Sequence, residues 1–113
     1  MAEPRNDEEP EQIPLHLLEP EEKLQVTARA TNAVLAVTDR RLIVTDEQRI
    51  ALDVQFLELR RIQFDIERTR PATLVIVPEN ATHAPQVLAI PPEEFDRTAS
   101  ALALIGRRLA GQE

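Results

Sequence analysis

The chain contains no cysteine, tryptophan or tyrosine, and its only glycines are Gly106 and Gly111. Without cysteine it can form no disulfide, thiolate metal site or cysteine nucleophile. Two late glycines exclude a Gly-rich phosphate loop, which needs several to bring backbone amides onto an anion. The three aromatics are all Phe, so the core must be aliphatic and no stacking platform for bases is offered. No apolar run approaches the roughly 20 residues of a membrane-spanning helix. The opening MAEPRNDEEP lacks the basic and apolar regions of a signal peptide, so the expectation is a soluble, cytoplasmic protein. The only serine, Ser100, falls in a predicted helix with neither a nucleophile elbow nor a base beside it. These absences argue against an enzyme and against any cofactor or metal site.

What the chain does have is length for one domain: 113 residues, 42% hydrophobic and 29% charged, enough for one core without covalent staples. Its charge is uneven. Residues 1–22 hold eight acids against Arg5, which accounts for the whole net charge of −7, while residues 23–113 carry twelve basic and twelve acidic groups. The first dozen residues offer almost nothing to bury and are expected to form a disordered acidic leader, with a single domain over 13–113. The leader's plain role is to solubilise; the alternative is an arm that docks on a basic surface. From Ile13, IPLHLLEPEEKL mixes leucines with Pro14 and Pro20, the texture of a short helical turn or an extended clamp on the body.

The body reads as strands. In LQVTARAT, Leu24, Val26, Ala28 and Ala30 alternate with polar residues, the period-two pattern of a strand with one wet face. AVLAVT (33–38) and RLIVT (41–45) are apolar runs joined through Asp39 and Arg40, where an Asp side chain readily bonds the backbone that follows it. A second Thr-Asp turn over 46–48 leads into RIALDV. RRIQFDIER (60–68) alternates Ile62, Phe64 and Ile66 against polar residues, TRPA breaks the run, and TLVIV (73–77) and QVLAI (86–90) complete seven strands. The period then changes. In PPEEFDRTASALALIGRRLAG, Phe95, Ala99, Leu102, Ile105 and Leu109 recur at spacings of three and four. Pro92, Glu93 and Glu94 open the helix and Arg107 and Arg108 lie near its end, as the helix dipole favours. Such a stripe has a sheet to cover before it has a partner to find.

Candidate contact residues are few. Arg40, Arg41, Arg60 and Arg61 would form a basic patch if the second and third strands fold near the fifth. That patch would receive a carboxylate, a phosphate or the leader. The plainer reading is a surface lattice of ion pairs with Asp39, Asp46, Asp65 and Glu67. His16 and His83 lack a second ligand at metal-binding spacing and read as structural or solvated residues.

The lead-in LEPEEKL, the third strand TDRRLIV, the fifth strand RRIQFDI and the helix start EEFDRTASAL together resemble the bacterial pleckstrin-homology-like (PH-like) domain, over about residues 17–110. Thr-Asp-Arg-Arg-Leu is the most specific element. The resemblance implies a mainly β fold: a barrel-like sandwich of about seven antiparallel strands in two nearly orthogonal sheets, capped by one C-terminal helix. It also implies a non-catalytic protein-interaction or self-assembly module, because some bacterial members assemble into rings. A peripheral membrane or lipid-binding module is the alternative. Relatives that hold phosphoinositides cluster Lys and Arg on the first two strands, whereas KLQVTARATNAVLAV offers Lys23 and Arg29 and the helix carries Phe95 in place of a Trp. No specific phosphoinositide binding is therefore expected. The acidic leader makes membrane binding unfavourable, and a neutral body argues against nucleic acid. A protein partner or a homo-oligomer remains.

Overall fold

The computed structural model describes residues 18–47 and 49–111. The leader over residues 1–12, the IPLHL stretch and His16 lie outside the described residues.

Seven strands follow one another: β1 (Leu24–Arg29), β2 (Val34–Thr38), β3 (Arg41–Asp46), β4 (Arg49–Gln55), β5 (Leu59–Glu67), β6 (Arg70–Pro78) and β7 (Gln86–Ile90). An α-helix, α1 (Phe95–Ala110), follows β7 after a 3-10 turn over Pro92–Glu94; another 3-10 turn, Phe56–Glu58, joins β4 to β5. Within each sheet the strands pair antiparallel with their neighbours in sequence, forming a four-stranded sheet β1-β2-β3-β4 and a three-stranded sheet β5-β6-β7, and the Phe56–Glu58 turn carries the chain from one sheet to the other. Local hairpins suit this order, because antiparallel neighbours can be joined by short links.

Successive residues of a strand face opposite sides of its sheet, which sorts each strand into two faces. Leu35, Val37, Leu42, Val44, Leu52 and Val54 point inward from the first sheet. Ala72, Leu74, Ile76, Leu88 and Ile90 meet them from the second, and Ala101 and Ile105 of α1 close the same core. Phe64 of β5 meets Phe95 at the helix start edge to face, with centroids 5.7 Å apart and planes at 82°, an arrangement the ring quadrupoles favour. The first sheet also buries part of its outward face, where Ala36 and Ile43 pack against Leu18 and Leu24.

Two expectations change in detail. The segment TRPA does not end the fifth strand with a long break, because β6 already begins at Arg70. Pro71 is tolerated because the β5–β6 register shifts between Asp65 and Glu67, and β7 pairs with β6 only from Ala72, so no ladder bond is asked of it. On α1, Ala99 is exposed, and Thr98, Ala101 and Ile105 take the buried positions. Thr98 is admitted because its hydroxyl donates to the Glu94 carbonyl at 2.9 Å.

The two sheets are stitched along one seam. The Thr31 amide in the β1–β2 turn donates to the Ala89 carbonyl of β7 at 2.9 Å, and the Arg29 amide at the end of β1 donates to the Glu94 carboxylate at 3.0 Å. Glu94, read as a dipole-favoured carboxylate at the helix start, thus anchors that start on β1.

Candidate functional site

The turn between β2 and β3 carries the most connected polar group of the described residues. Thr38, fully buried, accepts the backbone amides of Arg40 and Arg41 on its hydroxyl oxygen, each at 3.0 Å. The same hydroxyl donates to the Glu22 carboxylate at 2.6 Å. Thr38, not Asp39, therefore satisfies the turn from within. Asp39 instead binds the chain that leads into β1: its carboxylate accepts the Lys23 amide at 3.1 Å and its own amide donates to the Lys23 carbonyl at 3.0 Å.

Glu22 comes to this corner through a turn of its own. Pro20 follows Glu19, the Glu22 amide donates to the Glu19 carbonyl at 3.0 Å, and the Glu22 carboxylate curls back to accept the Glu19 amide at 2.9 Å. Proline favours the second position of such a turn because its φ is already set. The carboxylate, with no side-chain exposure, then receives Arg41 in two places, Nε at 2.8 Å and Nη2 at 2.9 Å. The remaining face of the guanidinium reaches Asp53 of β4 through Nη1 at 2.8 Å. A planar fork suits this two-carboxylate arrangement in a way a lysine ammonium would not. The Arg41 hydrogen bond, helped by Thr38 and the Glu19 amide, outweighs burial and holds the Glu22 carboxyl down at about 2 from its ordinary 4.5. The same Glu22 bond keeps Arg41 charged beyond its usual range.

The chemical meaning follows from that saturation. A carboxylate that has met an amide, a hydroxyl and a guanidinium, and that stays ionised far below neutrality, has no proton to exchange at pH 7. Glu22, Thr38, Arg41 and Asp53 form a lock that fastens the lead-in segment onto β2, β3 and β4.

The four candidate arginines therefore separate. Arg41 is a structural ion-pair member. Arg40 is exposed at the turn. Arg60 and Arg61 lie on β5 in the other sheet and, with Val77, line a cleft of about 220 Å³. Among the described residues, two of the acids expected in a surface lattice have other partners. Glu67 pairs with Arg70, and Asp65 accepts the Gln63 side-chain amide at 3.1 Å. His83 is exposed in the β6–β7 loop, where its amide donates to the Asn80 carbonyl at 3.0 Å. Among the described residues no three His, Cys, Asp or Glu side chains are grouped to hold a metal ion, and no helix is long and apolar enough to cross a membrane.

The sequence reading missed Glu22 and the role of the Thr38 hydroxyl. Glu22 was counted among the leader's acids; its one local signal is the Glu-Pro-Glu-Glu turn, which positions the carboxylate without naming a partner 19 residues away.

No family model matches the sequence, and a search of curated proteins finds no match either. Comparison of structures finds a pleckstrin homology domain from Shewanella amazonensis SB2B, with a TM-score of 0.63 and 19% sequence identity, covering 82% of this chain and 88% of that one. Seven antiparallel strands in two sheets with one C-terminal helix are thus a PH-like fold.

Proposed function

We propose that this PH-like chain is a non-catalytic protein-interaction or self-assembly module and that the open edge of its second sheet is the surface that does the binding. The observation that carries this reading is the contrast between the strand edges. β1 and β7 are joined through Thr31 and Ala89, and β1 is further held by Glu94. β4 is interrupted by a bulge at its pairing with Val44 and Thr45 and receives the Gln86 side chain on the Ala51 carbonyl at 3.5 Å. β5 pairs with β6 on one side, and its other side has no backbone partner among the described residues. A nine-residue strand left open in this way is a template for pairing with another chain. The saturated state of Glu22 supports the non-catalytic part of the reading.

Sedimentation equilibrium over a concentration series tests it: a reversible mass increase is expected. The alternative, a peripheral membrane module, draws on Arg60 and Arg61, two exposed cations on one cleft that a lipid phosphate would suit. Co-sedimentation with phosphatidylserine vesicles, abolished by replacing both arginines, would move that alternative ahead.

A further inference from the structure

We infer that β5 is a self-complementary edge that pairs antiparallel with β5 of a second copy of this chain, centred on Gln63. This rests on the interaction reading above and names its partner. The β5–β6 ladder shifts register between Leu59 and Arg61 and again between Asp65 and Glu67, so the regular stretch is Arg61-Ile62-Gln63-Phe64-Asp65, centred on Gln63. A two-fold axis through that residue sets Arg61 opposite the second copy's Asp65, Ile62 opposite Phe64, and Gln63 opposite itself. The interface is therefore isologous and closed, as most homodimers are.

Each pair suits its face. Gln63 and Phe64 lie across from Val75 and Leu74 of β6, which places Phe64 and Ile62 on the core side and Arg61, Gln63 and Asp65 on the outer side. Ile62 and Phe64 are only half-buried in the single chain, although their β6 partners Ile76 and Leu74 are fully buried. Antiparallel pairing would cover them with the same residues from the second copy. On the outer side, two Arg61–Asp65 pairs of opposite charge would form, and cross-strand pairs of this kind are the unit of sheet stabilisation. Neither Arg60 nor Arg61 has an ion-pair partner among the described residues. Just outside the regular stretch, the exposed Ile66 falls near the second copy's Arg60, whose aliphatic stem can lie over it. Shifting the axis by one residue, onto Phe64, would set Arg60 against Arg68 and Arg61 against Glu67, which lies past the register shift and already pairs with Arg70.

The test is a charge swap read by sedimentation equilibrium on the full chain, with thermal melts confirming that each variant is folded. Arg61→Glu alone and Asp65→Arg alone each put like charges opposite one another twice, and each should weaken dimerisation on the order of tenfold or more. The double variant Arg61→Glu/Asp65→Arg restores opposite charges and should recover the dimer. An equimolar mixture of the two single variants should form a heterodimer, since both of its cross-strand pairs are then complementary. A dimer unmoved by either single swap, or one that the double variant and the mixture fail to recover, overturns the β5 pairing and leaves self-association standing. A monomer at every concentration overturns both.

Discussion

A guanidinium between two carboxylates stabilises a fold only if the carboxylate taken from water is fully compensated, and Glu22 meets that condition with Arg41, Thr38 and the Glu19 amide. Its folded value is about 2 against an ordinary 4.5, so the folded state binds the proton more weakly than the unfolded chain. The stabilisation is therefore fully present above about pH 4.5 and is lost as pH falls toward 2. That difference corresponds to on the order of 3 kcal/mol. Urea denaturation at pH 7, 4.5 and 3 should show the wild-type midpoint falling through this window. Glu22→Gln should already be destabilised by on the order of 2 kcal/mol at pH 7, since Arg41 keeps Asp53 but loses its buried partner, and should show a flatter acid limb. The neighbouring turn separates two residues that look alike in sequence. Thr38→Val removes the acceptor for two amides and a donor to Glu22 and should cost about 2–3 kcal/mol, whereas Asp39→Ala removes one exposed bond and should cost about 1 kcal/mol or less. Calorimetric melts that reverse this order would return the corner to Asp39.

At the scale of elements, strand burial was legible because hydrophobic pattern is a local property. The continuous apolar runs over 33–38 and 41–45 become β2 and β3, buried on both faces, with Leu35, Val37, Leu42 and Val44 in the main core and Ala36 and Ile43 packed against Leu18 and Leu24. The turns were legible in place but not in chemistry. The turn read over 46–48 begins one residue later, since Asp46 is the last residue of β3 and pairs with Arg49, and Glu47 takes a positive φ of 55°, which a side chain disfavours and which no composition signal announced. Replacing it with glycine relieves the Cβ clash of the left-handed region, so Glu47→Gly should stabilise the domain by about 0.5–1 kcal/mol. An unchanged or lower denaturation midpoint would show that the Glu47 side chain compensates for its backbone. The helix illustrates the limit of periodicity. Phe95, Leu102, Ile105 and Leu109 were assigned to the packed face, but whether that face extends to Ala99 or to Thr98 and Ala101 depends on a rotation of a fraction of a turn. Glu94, bonded to the Arg29 amide, is one of the contacts that sets it.

For the whole molecule, seven strands followed by a helix could be read from the pattern and the two-sheet arrangement was implied by the resemblance to PH-like domains, while the lock could not be read, because its members are far apart in sequence. Glu22 stands among acids in an apparently expendable region, and only folding brings it to Arg41. Residues 1–12 hold five acids and one arginine. Residues beyond them include Leu18, which packs on Ala36 and Ile43, and Glu22. Deleting residues 1–12 should leave the melting temperature unchanged while raising the isoelectric point above 4.9. Deleting residues 1–22 removes Glu22 from Arg41 and uncovers part of the outward face of the first sheet, and should lower the melting temperature by on the order of 10 °C or more. Differential scanning calorimetry on the two truncations distinguishes the cases. A loss already complete in the shorter deletion would mean that the acidic leader docks on the body, and equal stability in both would mean that the Glu22 lock contributes nothing to the fold.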